Sequence, residues 1–136
     1  MKTIVENEVF IPVEPQQVIE KLANLGDLIR WIPDVKVSEI DENTVSITRN
    51  SAAVNHNEIL SRQVEGDQVI YTSTGGRIEY VLAFKVCSEN NDTIIVEEFI
   101  LTNEINLPIT LFRPVIKHAF KVNLQNLAKI MVNDNE

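Results

Sequence analysis

The clearest pattern in the chain is the alternation of side chains between residues 77 and 86, where apolar residues occupy every second position. The residues that share this apolar face are Ile78, Tyr80, Leu82, Phe84 and Val86. Successive side chains of a strand point to opposite faces, so this pattern predicts a strand with one buried face. The same period of two, broken by turn signals rich in Gly, Asn and Asp, recurs from Val35 to about Glu104. It predicts strands at residues 35–41, 44–52, 56–64, 68–74, 77–87 and 93–103.

The first part of the chain predicts a strand followed by two short helices. Residues 2–11 are rich in β-branched residues and end at a proline, which favours a strand. Pro15 suits the first position of a helix, and apolar residues recur at helical spacing after it, so a helix is predicted at residues 15–24. A second helix is predicted at residues 27–31 and ends before Pro33.

The last part of the chain, residues 107–132, predicts a long amphipathic helix. The apolar residues that fall on one stripe of this helix are Phe112, Ile116, Ala119, Phe120, Leu127 and Ile130. Either a single helical turn precedes Pro114, or Pro114 is the first residue of the main helix. A proline inside a helix costs about 3 kcal/mol, so the second interpretation is favoured.

This order of elements predicts a single α+β domain over residues 1–136. Seven antiparallel strands would form one curved sheet, and the long C-terminal helix would cover its concave face. The two short helices after the first strand would seal one end. A sheet wrapped around a helix in this way tends to leave a mostly apolar cavity with a few polar groups.

Three segments resemble the START-like superfamily (SRPBCC, helix-grip fold), which includes polyketide cyclase-like, carbon monoxide dehydrogenase-related and birch-pollen-allergen-like proteins. Residues 9–18 read VFIPVEPQQV and are similar to the family's strand-to-helix opening; residues 28–35 read LIRWIPDV and are similar to its Trp-x-Pro corner. The closing helix, from LFRP at residues 111–114 to LAK at residues 127–129, is the third. The resemblance covers essentially the whole chain and implies the helix-grip fold. The family spans carriers, sensors, cyclases and assembly factors, so it leaves the function open.

Charge and composition narrow the classes of partner. The net charge of −8 disfavours nucleic acids and anionic lipid surfaces, which bind mainly through Lys and Arg. No apolar run approaches the roughly 20 residues that span a membrane, and the acidic N-terminus is not typical of a secretory signal. Cys87 is the only cysteine, which excludes an internal disulfide and favours the cytoplasm. With two histidines, we expect no metal site, and we expect no cofactor; the protein is expected to be a monomer or homodimer.

A few polar residues are candidates for chemistry inside the cavity. Asn123 lies at the centre of the apolar stripe of the last helix, so it either points into the cavity or bonds a backbone carbonyl or buried water. His56 and Glu58 share a strand face and could act as an acid–base pair, although a surface position is favoured. Glu97 and Glu98 interrupt an apolar strand, so one of them should point inward, where it could act as an acid. The alternative is an ion pair across the sheet with Arg49, Arg62 or Arg77.

The predicted function is the binding of a small hydrophobic molecule that is lipid-like, polyketide-like or aromatic. The residues predicted to contact it are Trp31, Tyr71, Tyr80, Phe99, Phe112, Ile116, Phe120, Asn123 and Leu127. For the aromatic residues, a plain core position is the alternative. The first alternative function is a cyclase- or dehydratase-like enzyme, which requires an inward acid or base. The second is an interaction or assembly factor, which would have a filled cavity.

Overall fold

The structure is a computed structural model, and it describes residues 2–33, 35–50, 54–103 and 108–135. Within these residues, seven antiparallel strands form one sheet in the order β1-β7-β6-β5-β4-β3-β2. The strands are β1 (Lys2–Ile11), β2 (Val35–Asp41), β3 (Thr44–Arg49), β4 (Asn57–Glu65), β5 (Gln68–Thr74), β6 (Tyr80–Glu89) and β7 (Asp92–Leu101). From β2 to β7 each strand pairs with the next along the chain, and β1 closes the order beside β7.

The helices are α1 (Pro15–Ala23), α2 (Leu28–Trp31) and α3 (Ile109–Asp134), and a 3-10 turn at Leu25–Asp27 joins the first two. The architecture confirms the predicted fold class: a curved antiparallel sheet, two short helices after the first strand, and a long C-terminal helix. Most element ends lie within three residues of their predicted positions. The predicted strand end at residue 52 and the predicted helix start at residue 107 lie outside the described residues.

The prediction that the main helix begins at Pro114 is wrong, because α3 begins at Ile109 and passes through Pro114 without interruption. The proline removes only the hydrogen bond that its N–H would have donated to the carbonyl of Thr110, four residues earlier. Thr110 is exposed, so water can hydrate that carbonyl. The first turn has support of its own, since the backbone N–H of Leu111 donates to the carbonyl of Pro108 over 2.9 Å.

The two halves of α3 have different environments. Leu124, Leu127 and Met131 in its second half are buried against α2 and the sheet, and they close the hydrophobic core. In contrast, Leu111 and Val115 in its first half are 75% and 65% exposed. The helix therefore seals one end of the concave face and leaves the other end open.

An ion-pair network holds the end of α3 to the short helices. The two terminal guanidinium nitrogens of Arg30 each donate to the carboxylate of Asp134 over 2.9 Å, and the ammonium group of Lys21 donates to the same carboxylate over 3.2 Å. These hydrogen bonds hold the pKa of Asp134 well below its usual range. Among the described residues, no helix has both the length and the apolar character that are needed to cross a membrane.

Candidate functional site

A cavity of about 360 Å³ lies between the first half of α3 and the concave face of the sheet. The residues that line it are Arg49, Val54, Asn55, Glu58, Ile78, Tyr80, Phe99, Val115, Ile116, Ala119, Phe120 and Asn123. Most of the wall is apolar, and three of its rings pack together: the ring centroids of Tyr80 and Phe99 are 5.1 Å apart, and those of Phe99 and Phe120 are 5.2 Å apart. This combination of an apolar wall and a few polar groups is typical of small-molecule sites.

The polar part of the wall is centred on Glu58, whose carboxylate accepts three hydrogen bonds. Arg49 donates from Nε to Oε1 over 2.7 Å, Tyr80 donates its hydroxyl to Oε2 over 2.8 Å, and Ser73 donates its hydroxyl to Oε2 as well. Burial raises the pKa of Tyr80 far above its usual value, and the neighbouring Glu58 raises it further. The phenol therefore stays protonated and acts as a donor. Although Glu58 forms part of the wall, its side chain has no surface exposed to solvent.

Asn55 fixes the edge of the cavity through its side chain. It donates to the carbonyl of Ile78 over 2.9 Å and accepts from the backbone N–H of Ile78 over 2.8 Å. A side chain at Gly76 would not fit beside it, since a Cβ there would lie 2.5 Å from the Asn55 amide. The connection between β5 and β6 is therefore held against the residues that precede β4.

Asn123 lies on α3 at the cavity wall, half-buried. No hydrogen bond joins its side-chain amide to another described residue, so both its donor and its acceptor remain available to a guest. Sequence analysis left open whether this amide points into the cavity or bonds a backbone carbonyl, and the structure places it in the cavity wall.

Of the two adjacent glutamates on β7, Glu97 points inward and is 2% exposed, whereas Glu98 lies on the other face and accepts a hydrogen bond from Thr3 over 2.8 Å. Burial raises the pKa of Glu97 to about 8, and a hydrogen bond from Asn7 over 3.5 Å opposes this shift only in part. Glu97 is not among the residues that line the cavity. Neither glutamate forms an ion pair with an arginine among the described residues.

The structure separates the two members of the suggested His56–Glu58 pair. Glu58 is buried and lines the cavity. His56 lies just before β4, and its exposed side chain does not line the cavity. Among the described residues, no cluster of three or more His, Cys, Asp or Glu side chains is arranged to hold a metal ion.

The residues predicted to contact a ligand fall into three environments. Those that line the cavity are Tyr80, Phe99, Ile116, Phe120 and Asn123. Trp31, Tyr71 and Leu127 are fully buried in the core, where the Tyr71 hydroxyl donates to the carbonyl of Leu22. Phe112 is 41% exposed and lies outside the cavity. Sequence analysis did not identify Ser73 as a site residue, and it considered Arg49 only as an ion-pair partner. Both residues continue the inward alternation of their strands.

Comparison with known proteins supports the fold and does not extend to a function. No protein-family model matches the chain, and no curated protein matches it. Among solved structures, it is similar to a START superfamily protein from Mycobacterium smegmatis, with a TM-score of 0.67, 12% identity, and 93% and 92% of the two chains covered. It is also similar to truncated norcoclaurine synthase from Thalictrum flavum, with a TM-score of 0.73, 11% identity, and coverage of 93% and 91%.

A third similar structure is the Zhui aromatase/cyclase from Streptomyces sp. R1128, with a TM-score of 0.72, 11% identity, and coverage of 96% and 94%. These alignments span nearly all of each chain, so the similarity concerns the whole architecture. The chain therefore has the START-like helix-grip fold. At this level of identity, the similarity concerns the fold alone, and the function has to be argued from the cavity.

Proposed function

We propose that this protein binds a small hydrophobic molecule in the cavity between α3 and the sheet. The observation that carries the proposal is the open space of about 360 Å³, with a mostly apolar wall and one unpaired amide, that of Asn123. Burial of apolar ligand surface would supply most of the binding free energy, at roughly 25 cal/mol per Å². The amide would orient one polar group of the ligand, and the ligand is lipid-like, polyketide-like or aromatic.

The proposed contact residues are the five predicted residues that line the cavity, together with Ile78 and Ala119. The exposed start of α3 favours entry from this end, because Val115 lines the cavity and is also 65% exposed to solvent. Opening of the first turns of the helix would admit a guest without disturbing the buried second half. Trp31, Tyr71 and Leu127 support the wall from within the core rather than touching the ligand.

An enzyme of the cyclase or dehydratase kind is the second candidate, and the buried Glu58 with its hydroxyl donors is the observation that favours it. Three donors already occupy this carboxylate, and none of its surface is exposed. A general base must reach the proton that it removes, so Glu58 would first have to break an existing bond. Binding is therefore the better supported function. An assembly factor with a filled cavity is disfavoured by the space that remains.

A variant that fills the cavity provides the test. Ala119 lines the cavity but is exposed on α3, so Ala119→Trp should fold and place an indole in the ligand space. The matched control is Gln125→Trp, on an exposed position of the same helix outside the cavity. The probe is the neutral fluorophore N-phenyl-1-naphthylamine, titrated while its emission is recorded.

We expect Ala119→Trp to weaken probe binding at least tenfold, which corresponds to about 1.4 kcal/mol, while Gln125→Trp binds as the unmodified protein does. Both variants add one tryptophan to the same helix, so the comparison changes only the position of the indole, and the probe is excited directly to avoid energy transfer from tryptophan. Equal affinities for the two variants would show that the probe binds elsewhere. Absence of binding to the unmodified protein, together with no bound species in native mass spectra, would count against the proposal itself.

A further inference from the structure

A second opening on the concave face lies away from the cavity, between the α1–α2 connection and strands β2 to β4. This groove measures about 620 Å³ and shares no lining residue with the cavity. Val45 lines the groove near the start of β3, whereas Arg49 lines the cavity at the end of the same strand. Four residues of a strand span about 13 Å, so the two spaces are separate sites.

The floor of the groove combines apolar side chains with one cation. The apolar residues that line it are Ala23, Leu25, Ile29, Val37 and Val45. Arg62 of β4 also lines it and lies on the inward face of the strand, which it shares with Glu58 and Leu60. A cation without a partner is unexpected at such a position, and Arg49 on the neighbouring strand does have an acidic partner in Glu58.

Arg62 lacks such a partner. Its Nε atom is buried and has no hydrogen-bond partner among the described residues, and its guanidinium forms no ion pair with any of them. Its strand neighbour Tyr71 supplies no counter-charge, because burial raises the pKa of Tyr71 far above its usual value and the phenol, whose hydroxyl donates to Leu22, stays neutral. A buried donor that lacks a partner destabilises the protein, so a molecule that supplied an acceptor here would relieve that cost on binding.

We propose that this groove is a second binding site, and that its ligand is a monocarboxylate with an aliphatic chain. A planar guanidinium matches a carboxylate through two parallel hydrogen bonds, and the apolar floor matches an aliphatic chain. Four acidic residues also line the groove: Glu20, Glu39, Asp41 and Glu42. They repel any anion, and a dianion more strongly than a monoanion, so a ligand that Arg62 holds against this repulsion is a carboxylate rather than a phosphate.

The test uses octanoate as the probe, and 1-octanol as its uncharged counterpart, in a titration followed by ¹H–¹⁵N NMR. The amides of Ala23, Val37 and Val45 report on the groove, and those of Tyr80 and Phe120 report on the cavity. We expect octanoate to shift the groove amides in a saturable way, with at least tenfold higher affinity there than 1-octanol. Octyl phosphate should bind the groove more weakly than octanoate.

Arg62→Gln should weaken octanoate binding at the groove at least tenfold and leave binding at the cavity unchanged. Arg77→Gln is the matched control, because it removes the same charge from an exposed position outside the groove. Shifts confined to the cavity amides, or equal affinity for octanoate and 1-octanol at the groove, would overturn the proposal. So would unchanged octanoate binding in Arg62→Gln. The comparison of octanoate with 1-octanol needs only the unmodified protein, so it stands even if that variant folds poorly.

Discussion

Glu58 and Glu97 point inward from the same sheet, and each is 2% exposed, but their surroundings differ. Glu58 accepts hydrogen bonds from three side chains and is paired with a guanidinium at 2.7 Å. Among the described residues, the carboxyl group of Glu97 accepts a hydrogen bond only from the amide of Asn7, over 3.5 Å. Two equally buried carboxyl groups can therefore differ in the number and charge of the donors around them.

The two glutamates differ because the cations nearest to Glu97 form hydrogen bonds with other groups. Lys117 and Lys121 of α3 lie near Glu97 and lower its pKa slightly, but their ammonium groups donate to the backbone carbonyls of Glu6 and Glu8. These contacts occupy carbonyls along β1, which is an edge strand of the sheet. Because these ammonium groups bind the carbonyls of the edge strand, they offset the burial of Glu97 only in part. Desolvation therefore dominates, and the pKa of Glu97 rises to about 8. Near neutral pH, Glu97 is mostly an uncharged acid.

The largest expected effect follows from removal of the Glu58 carboxylate. Glu58→Ala should lower the free energy of unfolding by about 3 kcal/mol, because it leaves a half-buried guanidinium and a buried phenol without their acceptor. Urea unfolding at pH 7 would measure this loss. The double variant Arg49→Met/Glu58→Leu removes both charges and should recover most of it. A loss below about 1 kcal/mol for Glu58→Ala would show that the pair is effectively solvated.

The next effect concerns Glu97 and depends on pH. Its folded-state pKa of about 8 lies above the ordinary value of 4.5, so the folded protein binds the proton more tightly than the unfolded chain. The stabilisation is therefore complete below about pH 4.5 and is lost as pH rises to about 8, at up to about 1.4 kcal/mol per pH unit. Glu97→Gln carries no titrating group, so its stability relative to the unmodified protein should increase across this window by about 4 kcal/mol.

Urea unfolding of both proteins at several pH values between 5 and 9 would test this. Glu98→Gln is the matched control, because Glu98 is the adjacent residue and lies on the opposite face of the same strand. It removes a carboxylate from the other face of the sheet, so it measures any effect of this substitution that does not depend on burial. A pH-independent difference for Glu97→Gln would mean that Glu97 is ionised in the folded state at neutral pH, which would contradict the prediction.

Sequence patterns predicted the fold well, because each element has a local signal. The period of two located the strands from β2 to β7, and Pro15 marked the start of α1. The start of α3 could not be predicted from propensity alone. The exposed carbonyl of Thr110 reduces the cost of Pro114, and exposure depends on the folded structure.

The site was harder to predict than the fold. Alternation predicts that Arg49, Glu58 and Ser73 can point inward, but it does not indicate which strands lie side by side. The register places them together: Leu60 lies opposite Ser73, and Ser73 lies opposite Tyr80 on the next strand. The cavity depends on the space that remains between the first half of α3 and the sheet. That is a tertiary feature, so the sequence could not distinguish Phe120 in the cavity wall from Tyr71 in the core.

The smallest expected effect follows from removal of one of the three hydrogen bonds that the carboxylate of Glu58 accepts. Tyr80→Phe removes one of its three hydrogen bonds and should lower the free energy of unfolding by about 1 kcal/mol. Arg49 and Ser73 would still hold the carboxylate, so the loss should stay well below that of Glu58→Ala. Urea unfolding of the two variants at pH 7 would measure the difference. A loss as large as that of Glu58→Ala would mean that the phenol, rather than the guanidinium, is what holds Glu58.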